Sequence, residues 1–298
     1  MKKLFFSITF WAILNTTCLA QSALVFQTDF GLKDGAVASM KGVAFGVSPT
    51  LKMFDLTHEI PAYNIWEAAL RLKETVRYWP AGTVFVSVVD PGVGTERKSV
   101  VLQTKSGHYF VTPDNGTLTF VAEELGVAAL RQIDENVNRL PGSQDSYTFH
   151  GRDIYAYTGA RLAAGVIPFE QTGPLLEPRV VAIPHQKAKI ENDAALGTIP
   201  ILDVQYGNIW TNIDQATFKE LDIALGALCV VQISHNGRAV FDGKMPYART
   251  FGDVPVGQPL LYLNSELHVA LAINQESFAK IHKIGSGPEW RITIKKSK

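Results

Sequence analysis

Cysteine is nearly absent. Cys18 and Cys229 are the two in 298 residues. One pair allows one disulfide at most, and a zinc site built on cysteine is excluded by count. The chain also lacks a surplus of either charge, with 28 basic against 28 acidic residues. Holding nucleic acid through its phosphates needs a basic excess, so no nucleic-acid partner is expected. No run reaches the roughly 20 consecutive apolar residues that a membrane-spanning helix requires. The histidines show no HExxH or paired-ligand spacing, so the sequence predicts no metal site. Gly92-Val-Gly94 lacks the third glycine of a dinucleotide fingerprint and leads into an extended segment, so no dinucleotide cofactor is expected. A hydrophobic content of 46% excludes a disordered or low-complexity chain and leaves material for a substantial core.

The chain begins with an address. Lys2 and Lys3 precede the apolar stretch Leu4 to Leu14, and Ala20 and Cys18 sit at the −1 and −3 positions before Gln21. That pattern predicts an export signal over residues 1–20, cleaved after Ala20, and a periplasmic or secreted mature protein. Asn15 argues against a lipid anchor at Cys18. Cleavage leaves Cys229 without a partner. Its apolar neighbours Ala227 to Val231 predict a buried structural thiol.

Two halves with different periodicity follow. Up to about Pro184, strand-like runs alternate with helical stripes, and Thr83 to Val89 reads as a strand buried on both faces. Asn64-Ile-Trp-Glu67 has the form of a capped helix start, and Ser106-Gly107 that of a hairpin turn. This predicts an α/β domain, Rossmann-like, over residues 21–188 with a largely parallel sheet. From Lys189 short strands dominate, among them Thr198 to Val204, and Asn236-Gly237 marks a hairpin. The expectation for residues 189–298 is a small β-barrel domain, with a sandwich as the other all-β solution.

Chemistry-bearing residues collect at strand ends, where parallel α/β sheets bind ligands. Asp29 follows the first strand and Asp90 the Thr83–Val89 strand, each with glycine close behind. An acid after a strand is also an ordinary turn former, so one such site alone carries little. Thr148-Phe-His-Gly-Arg-Asp153 opens a helix and offers His150 as a base or an orienting group. In the second half, Asp203, Asn208 and Trp210 mix an acid, an amide and an aromatic, which suits a purine's face and edge.

In order, the chain carries Thr28-Asp-Phe-Gly31, Asp55-Leu-Thr-His-Glu-Ile-Pro61, Val88-Val-Asp-Pro-Gly-Val-Gly94 with Arg97, and Pro113-Asp-Asn-Gly116. Phe149-His-Gly-Arg-Asp153, Gly207-Asn-Ile-Trp-Thr-Asn-Ile213 and Leu263-Asn-Ser265 follow. With these motifs it resembles the S-adenosyl-L-methionine hydrolases, or SAM hydroxide adenosyltransferases, relatives of the fluorinase and chlorinase enzymes. The resemblance runs from about Leu24 to beyond Asn274. It implies a homotrimer whose substrate, S-adenosyl-L-methionine, lies between the first domain of one subunit and the second domain of its neighbour. It implies that water displaces methionine from C5′ to give adenosine, with Asp90, Arg97 and His150 around the water. The halide-using relatives have other residues at the aspartate and histidine positions, so the resemblance favours hydroxide over halide. It further implies that Asp29 holds the ribose hydroxyls beside Tyr63, and that Tyr206, Trp210 and Phe251 flank adenine. Asp203, Asn208 and Ser265 would contact the substrate, with Asp203 near its ammonium group. Which of Asp90 and His150 acts as base stays open at this level.

Two features depart from the pattern. Glu266 stands where the fluorinase has an arginine that helps hold the substrate carboxylate, and a glutamate there repels that carboxylate unless it points away. The export signal separates the enzyme from a mainly cytoplasmic metabolite. The competing readings are therefore a hydrolase of a related adenosyl compound and an exported adenosyl-binding protein without turnover.

Overall fold

The structure is a computed structural model describing residues 22–297, so the predicted export signal, Cys18 included, lies outside the described residues. The first half comprises β1 (Leu24–Thr28), α1 (Ala36–Val47), β2 (Met53–Thr57), α2 (Ile65–Val76), β3 (Val84–Val88), β4 (Ser99–Thr104) and β5 (Tyr109–Pro113). It continues through α3 (Thr119–Leu125), β6 (Val127–Gln132), α4 (Glu135–Asn138), a π-helical turn over Gly151–Ala156, α5 (Tyr157–Ala163) and β7 (Leu175–Leu176). Its strands form one seven-stranded sheet in the order β2–β1–β3–β5–β4–β6–β7. Pairing is parallel from β2 to β5 and antiparallel from β5 to β7. The sheet is thus less parallel than the sequence predicted. The short link through Ser106-Gly107 can join β4 and β5 only antiparallel.

Alternation along the strands feeds two apolar layers. Leu24, Phe26, Val84 and Val86 pack with Met40 and Ala44 of α1, Ile154 of the π turn and Ala160 of α5. Val25 and Phe85 point the other way, onto Leu72 and Val76 of α2 and Val121 of α3. Helix α2 starts as its sequence predicts, with the Glu67 amide donating to Asn64 Oδ1 at 3.0 Å.

The second half comprises β8 (Lys189–Glu191), β9 (Ala194–Ile199), β10 (Ile201–Asp203), β11 (Asn208–Asp214), α6 (Gln215–Lys219), β12 (Leu228–His235) and β13 (Arg238–Pro246). After these come β14 (Pro259–Leu263), β15 (His268–Ile273), α7 (Phe278–His282) and β16 (Gly287–Lys296). The strands form two sheets, β10–β11–β15–β14 and β13–β12–β16–β9–β8. Ile209, Ile213 and Leu271 of the first pack against Val231, Ile233, Ile292 and Ile294 of the second, around the buried Cys229. Burial pushes the Cys229 thiol up to about 11.

The fold is therefore mixed α/β with several sheets, and among the described residues the second half is two face-packed sheets rather than the closed barrel expected. Pro200 explains part of the difference. It splits the predicted Thr198–Val204 strand, leaving β9 in one sheet and β10 in the other. Proline has no N–H for a ladder. Its carbonyl is instead taken by the Trp66 indole N–H of α2 at 2.8 Å. The Asn236-Gly237 hairpin forms as predicted, with φ of 49° and 77° at the two turn residues.

Gly159 sets the distance between α5 and the sheet. A Cβ there would lie 2.4 Å from Val86 Cγ2 and 3.4 Å from Leu24 Cδ1. Both neighbours are fully buried, and the stiff valine cannot swing aside. Gly159→Ala should lower stability by about 1–3 kcal/mol despite alanine's better helix propensity, because overpacking outweighs it. Urea unfolding of the variant measures this. An unchanged midpoint would contradict the close packing.

Candidate active site

Strand β3 delivers Asp90 to a glycine-containing turn in which Gly94 takes φ 78°. The chain then returns through Arg97 into β4. Arg97 grips Asp90 with a fork. Its Nε lies 2.9 Å from both carboxylate oxygens, and Nη2 lies 2.5 Å from Oδ2. The same Nη2 is 2.8 Å from Nδ1 of His150, which begins the π-helical turn before α5. Turns of that kind recur at functional sites. The three residues predicted together are thus brought together, and Arg97 is their centre. Burial works against the Arg97 charge, but the hydrogen bond to Asp90 together with the nearby negative charges outweighs it and raises the guanidinium above its ordinary value.

Two partners escaped the sequence reading. Arg97 Nη1 donates to Ser99 Oγ at 3.1 Å, and that hydroxyl lies 3.1 Å from the Tyr155 hydroxyl. Ser99 opens β4 two residues after Arg97. Tyr155 follows His150 by five residues on the widened turn, a spacing no α-helical template pairs. Burial pushes the Tyr155 phenol up.

Guanidinium has no acceptor and keeps its proton. His150 Nδ1 must therefore accept from Arg97, and the proton of the neutral ring sits on Nε2. That atom is buried and has no hydrogen-bond partner among the described residues. Burial lowers the His150 pKa, which favours this neutral form.

Asp29 stands at the end of β1, and its Oδ2 accepts the Tyr63 backbone N–H at 2.8 Å. Tyr63 takes φ 67°, unusual for a side chain of this size, and the residue is 72% exposed. Asp203, Tyr206, Asn208, Trp210, Phe251 and Ser265 line one cavity of about 800 Å³ on the outer face of the β10–β11–β15–β14 sheet. That volume suits a nucleoside-sized ligand. Asn208 Nδ2 donates to Asp203 Oδ2 at 3.1 Å. Tyr262, Asn264 and Asn274 also line the cavity and were not foreseen. Tyr262 sits next to the Leu263-Asn-Ser265 motif on the alternating face of β14, which was the available signal. Burial, with the Asp203 charge, pushes its phenol up to about 12. None of Asp90, Arg97, His150, Asp29 and Tyr63 lines this cavity, so one chain presents the predicted residues as separate groups.

Glu266 points away from the cavity. Its carboxylate pairs with Arg77 and accepts the Tyr78 hydroxyl at 3.2 Å. The repulsion foreseen from the sequence is therefore absent.

Two family matches cover most of the chain. The SAM hydroxide adenosyltransferase N-terminal domain matches residues 24–173, and the corresponding C-terminal domain matches residues 197–291. The chain belongs to the SAM hydroxide adenosyltransferase family. The first match holds Asp29, Tyr63, Asp90, Arg97 and His150, and the second holds the cavity residues from Asp203 to Ser265. Among similar proteins is the (R)-S-adenosyl-L-methionine hydrolase of Salinispora arenicola, 35% identical, with 90% of this chain and 96% of that protein covered. The (R)-S-adenosyl-L-methionine hydrolase of Methanocaldococcus jannaschii is 34% identical, covering 87% and 88%. A fluorinase of Actinopolyspora mzabensis is 28% identical, covering 91% and 96%. The crystal structure of a conserved protein from Thermotoga maritima superposes with a TM-score of 0.84 at 36% identity, covering 92% and 100%.

Burial lowers the pKa of His150, His268 and His282 alike. The unfolded chain takes up these protons near the ordinary histidine value of about 6.5, before the folded protein does. Stability should therefore be level in pH above that value and fall as the pH drops below it. Urea midpoints between pH 8 and 5 test this, and His150→Asn should remove part of the slope. A flat profile would count against buried neutral histidines.

Proposed function

We propose that the protein hydrolyses S-adenosyl-L-methionine to adenosine and L-methionine, as the names of its hydrolase relatives indicate for those proteins. The observation that carries the reading is the Arg97 fork holding Asp90 and His150 in one buried cluster. Water lies between the two residues Arg97 orients. His150 Nε2–H donates to its oxygen, and Asp90 accepts its proton. A lone pair is thereby aimed at C5′, and near-attack positioning supplies several kcal/mol. As the C5′–O bond forms, the C5′–S bond breaks and its electron pair stays on sulfur. Methionine leaves as a neutral thioether without a general acid. The water proton passes to Asp90 and then to solvent. In this reading Asp90 is the base, and His150 is a donor held in one tautomer.

Asp29 holds the ribose hydroxyls beside Tyr63. Tyr206, Trp210 and Phe251 flank adenine, with Asp203, Asn208 and Ser265 on the polar groups of the substrate. We read the protein as a homotrimer in which one subunit's Asp90 cluster faces a neighbour's cavity. The cavity is open in the single chain, with Tyr206 68% and Phe251 43% exposed, which supports this arrangement. Residues 21–188 are read as one domain, Rossmann-like in its β2–β1–β3 core, and 189–298 as the second. Residues 1–20 are read as a cleaved export signal, which puts the enzyme in the periplasm or outside the cell.

The test is incubation of residues 21–298 with S-adenosyl-L-methionine and chromatography of the products. Adenosine and methionine should appear in equal amounts, and Asp90→Asn should reduce the rate by roughly 100-fold or more, the scale of lost general-base catalysis. Adenosine binding without turnover would replace the hydrolase reading with a binding protein.

The shared site has its own test. Asp90→Asn and Trp210→Ala subunits, each of low activity alone, should regain activity when unfolded together and refolded as mixed oligomers. No recovery, or a monomer by sedimentation, would overturn the trimer reading.

A further inference from the structure

The Asp55–Pro61 motif takes no part in the chemistry above, yet its histidine is buried between charged and polar partners. His58 lies at the end of β2, beside β1 in a parallel ladder that sets Phe26 opposite Asp55. Its Nδ1 is 2.9 Å from Thr28 Oγ1, and its Nε2 is 3.0 Å from Asp55 Oδ1. Lys41 of α1 reaches the other Asp55 oxygen at 2.6 Å. The Phe30 amide donates to Thr28 Oγ1 at 3.2 Å, and the Gly31 amide donates to the His58 carbonyl at 2.7 Å.

With a neutral imidazole, donor and acceptor capacity gives this chain one direction. The Asp55 carboxylate only accepts, so His58 Nε2–H donates to it. Nδ1 of the neutral ring then accepts from the Thr28 hydroxyl, whose oxygen is the acceptor for Phe30 N–H. Burial works to raise the Asp55 carboxyl, but Lys41 and His58 together, through hydrogen bonds and charge, outweigh it and hold it below its ordinary value. The order Thr–His–Asp resembles a hydrolase triad. Thr28 is fully buried, however, and no substrate reaches its oxygen. The relay therefore acts on its neighbours. Thr28 and Phe30, on either side of Asp29, are both tied into it, and Asp29 keeps one carboxylate oxygen beyond the one taken by Tyr63 N–H.

We propose that His58 is a positioning residue that fixes the Thr28–Gly31 turn and so aims the Asp29 carboxylate at the vicinal hydroxyls of the substrate's ribose. This rests on the reading of Asp29 as the ribose contact. The probes are adenosine and 2′,3′-dideoxyadenosine, titrated calorimetrically into the oligomer, with S-adenosyl-L-methionine turnover measured in parallel. His58→Ala should weaken adenosine roughly tenfold, the scale of one hydrogen bond to a charged group. It should raise KM similarly, leave kcat within about threefold, and leave dideoxyadenosine binding unchanged. His58→Asn, which can still accept from Thr28, should recover part of the loss. Combined with Asp29→Ala, His58→Ala should add nothing.

Equal weakening of both nucleosides, or additive losses in the double variant, would overturn the proposal by marking His58 as a general stabiliser. If Asp29→Ala leaves the preference for adenosine over dideoxyadenosine intact, the ribose reading itself falls, and the proposal with it. If Asp29→Ala abolishes that preference while His58→Ala preserves it, only the proposal falls. Should His58→Ala not fold, Asp55→Ala removes the acceptor of the same relay at a side chain 41% exposed and must give the same selective pattern.

Discussion

Arg97 cannot give up its proton, and that fact sets the state of everything around it. A guanidinium taken out of water needs its charge answered and its N–H groups used. Asp90 answers the charge on the Nε side, Ser99 takes one terminal nitrogen, and His150 Nδ1 shares the other with Asp90. Each partner loses freedom in return. The carboxylate is held by Nε and Nη2 of the guanidinium, and the imidazole is held in the tautomer that carries its proton on Nε2, away from Arg97. The local backbone is shaped to allow this. Gly94 adopts a left-handed conformation that lets the loop return Arg97 toward Asp90. Gly159, lying against Val86, brings the helix after His150 close to the strand that carries Asp90. Removing one member would leave another buried and unanswered, so the cluster behaves as a unit.

Helix α2 plays the corresponding part between the two halves. Its Leu72 and Val76 cover the seven-stranded sheet. Trp66 reaches the carbonyl of Pro200, just before the first strand of the cavity sheet, and Arg71 that of Leu202 on it. Arg77, just past the helix end, pairs with Glu266 in the turn between β14 and β15. Ser265 in that same turn lines the cavity while Glu266 turns back to α2. Asn264 Oδ1 fixes the turn by accepting the amides of Glu266 and His268. The glutamate that departs from the fluorinase pattern thus joins the two halves, and its charge is directed away from the face where a substrate carboxylate would lie.

What could be read from the sequence was what local physics decides. The β-branched run of β3, the Asn64 cap and the Asn236-Gly237 turn each carry their structure within a few residues, and each appears where expected. Pairing between distant strands was not legible. Strand β6, with its Ala-Ala and Arg-Gln content, has little β signal of its own and exists because β4 offers it a ladder. Barrel against sandwich turns on whether the outer strands of two sheets hydrogen-bond to each other, which no periodicity encodes. Pro200 was visible, but its meaning depended on Trp66, far away in the chain. The site divided in the same way. Motifs named Asp90, Arg97 and His150 and most of the cavity residues, and Ser99 and Tyr262 lay beside those motifs, while Tyr155 was supplied only by the packing of one element on another.

The charge of the cluster suits the reaction proposed for it. Asp90 is negative, Arg97 positive and His150 neutral, so the three together carry no net charge toward a cationic sulfonium. An unpaired arginine there would repel the substrate, and so would a protonated histidine. Burial acts against the charged imidazole, and Asp90 neutralises the guanidinium at hydrogen-bond distance. As water attacks C5′, positive charge leaves sulfur and gathers on the attacking oxygen. The group best placed to meet it is a carboxylate already oriented, so little reorganisation remains for the transition state. Bulk water stabilises the concentrated charge of the sulfonium more than the dispersed charge that follows, so a dry, closed site favours the reaction. A single chain, with its cavity aromatics exposed and its polar cluster on another element, has both parts of such a site but not their closure. Closure is what the proposed neighbouring subunit adds, and it ties desolvation of the substrate to assembly of the protein.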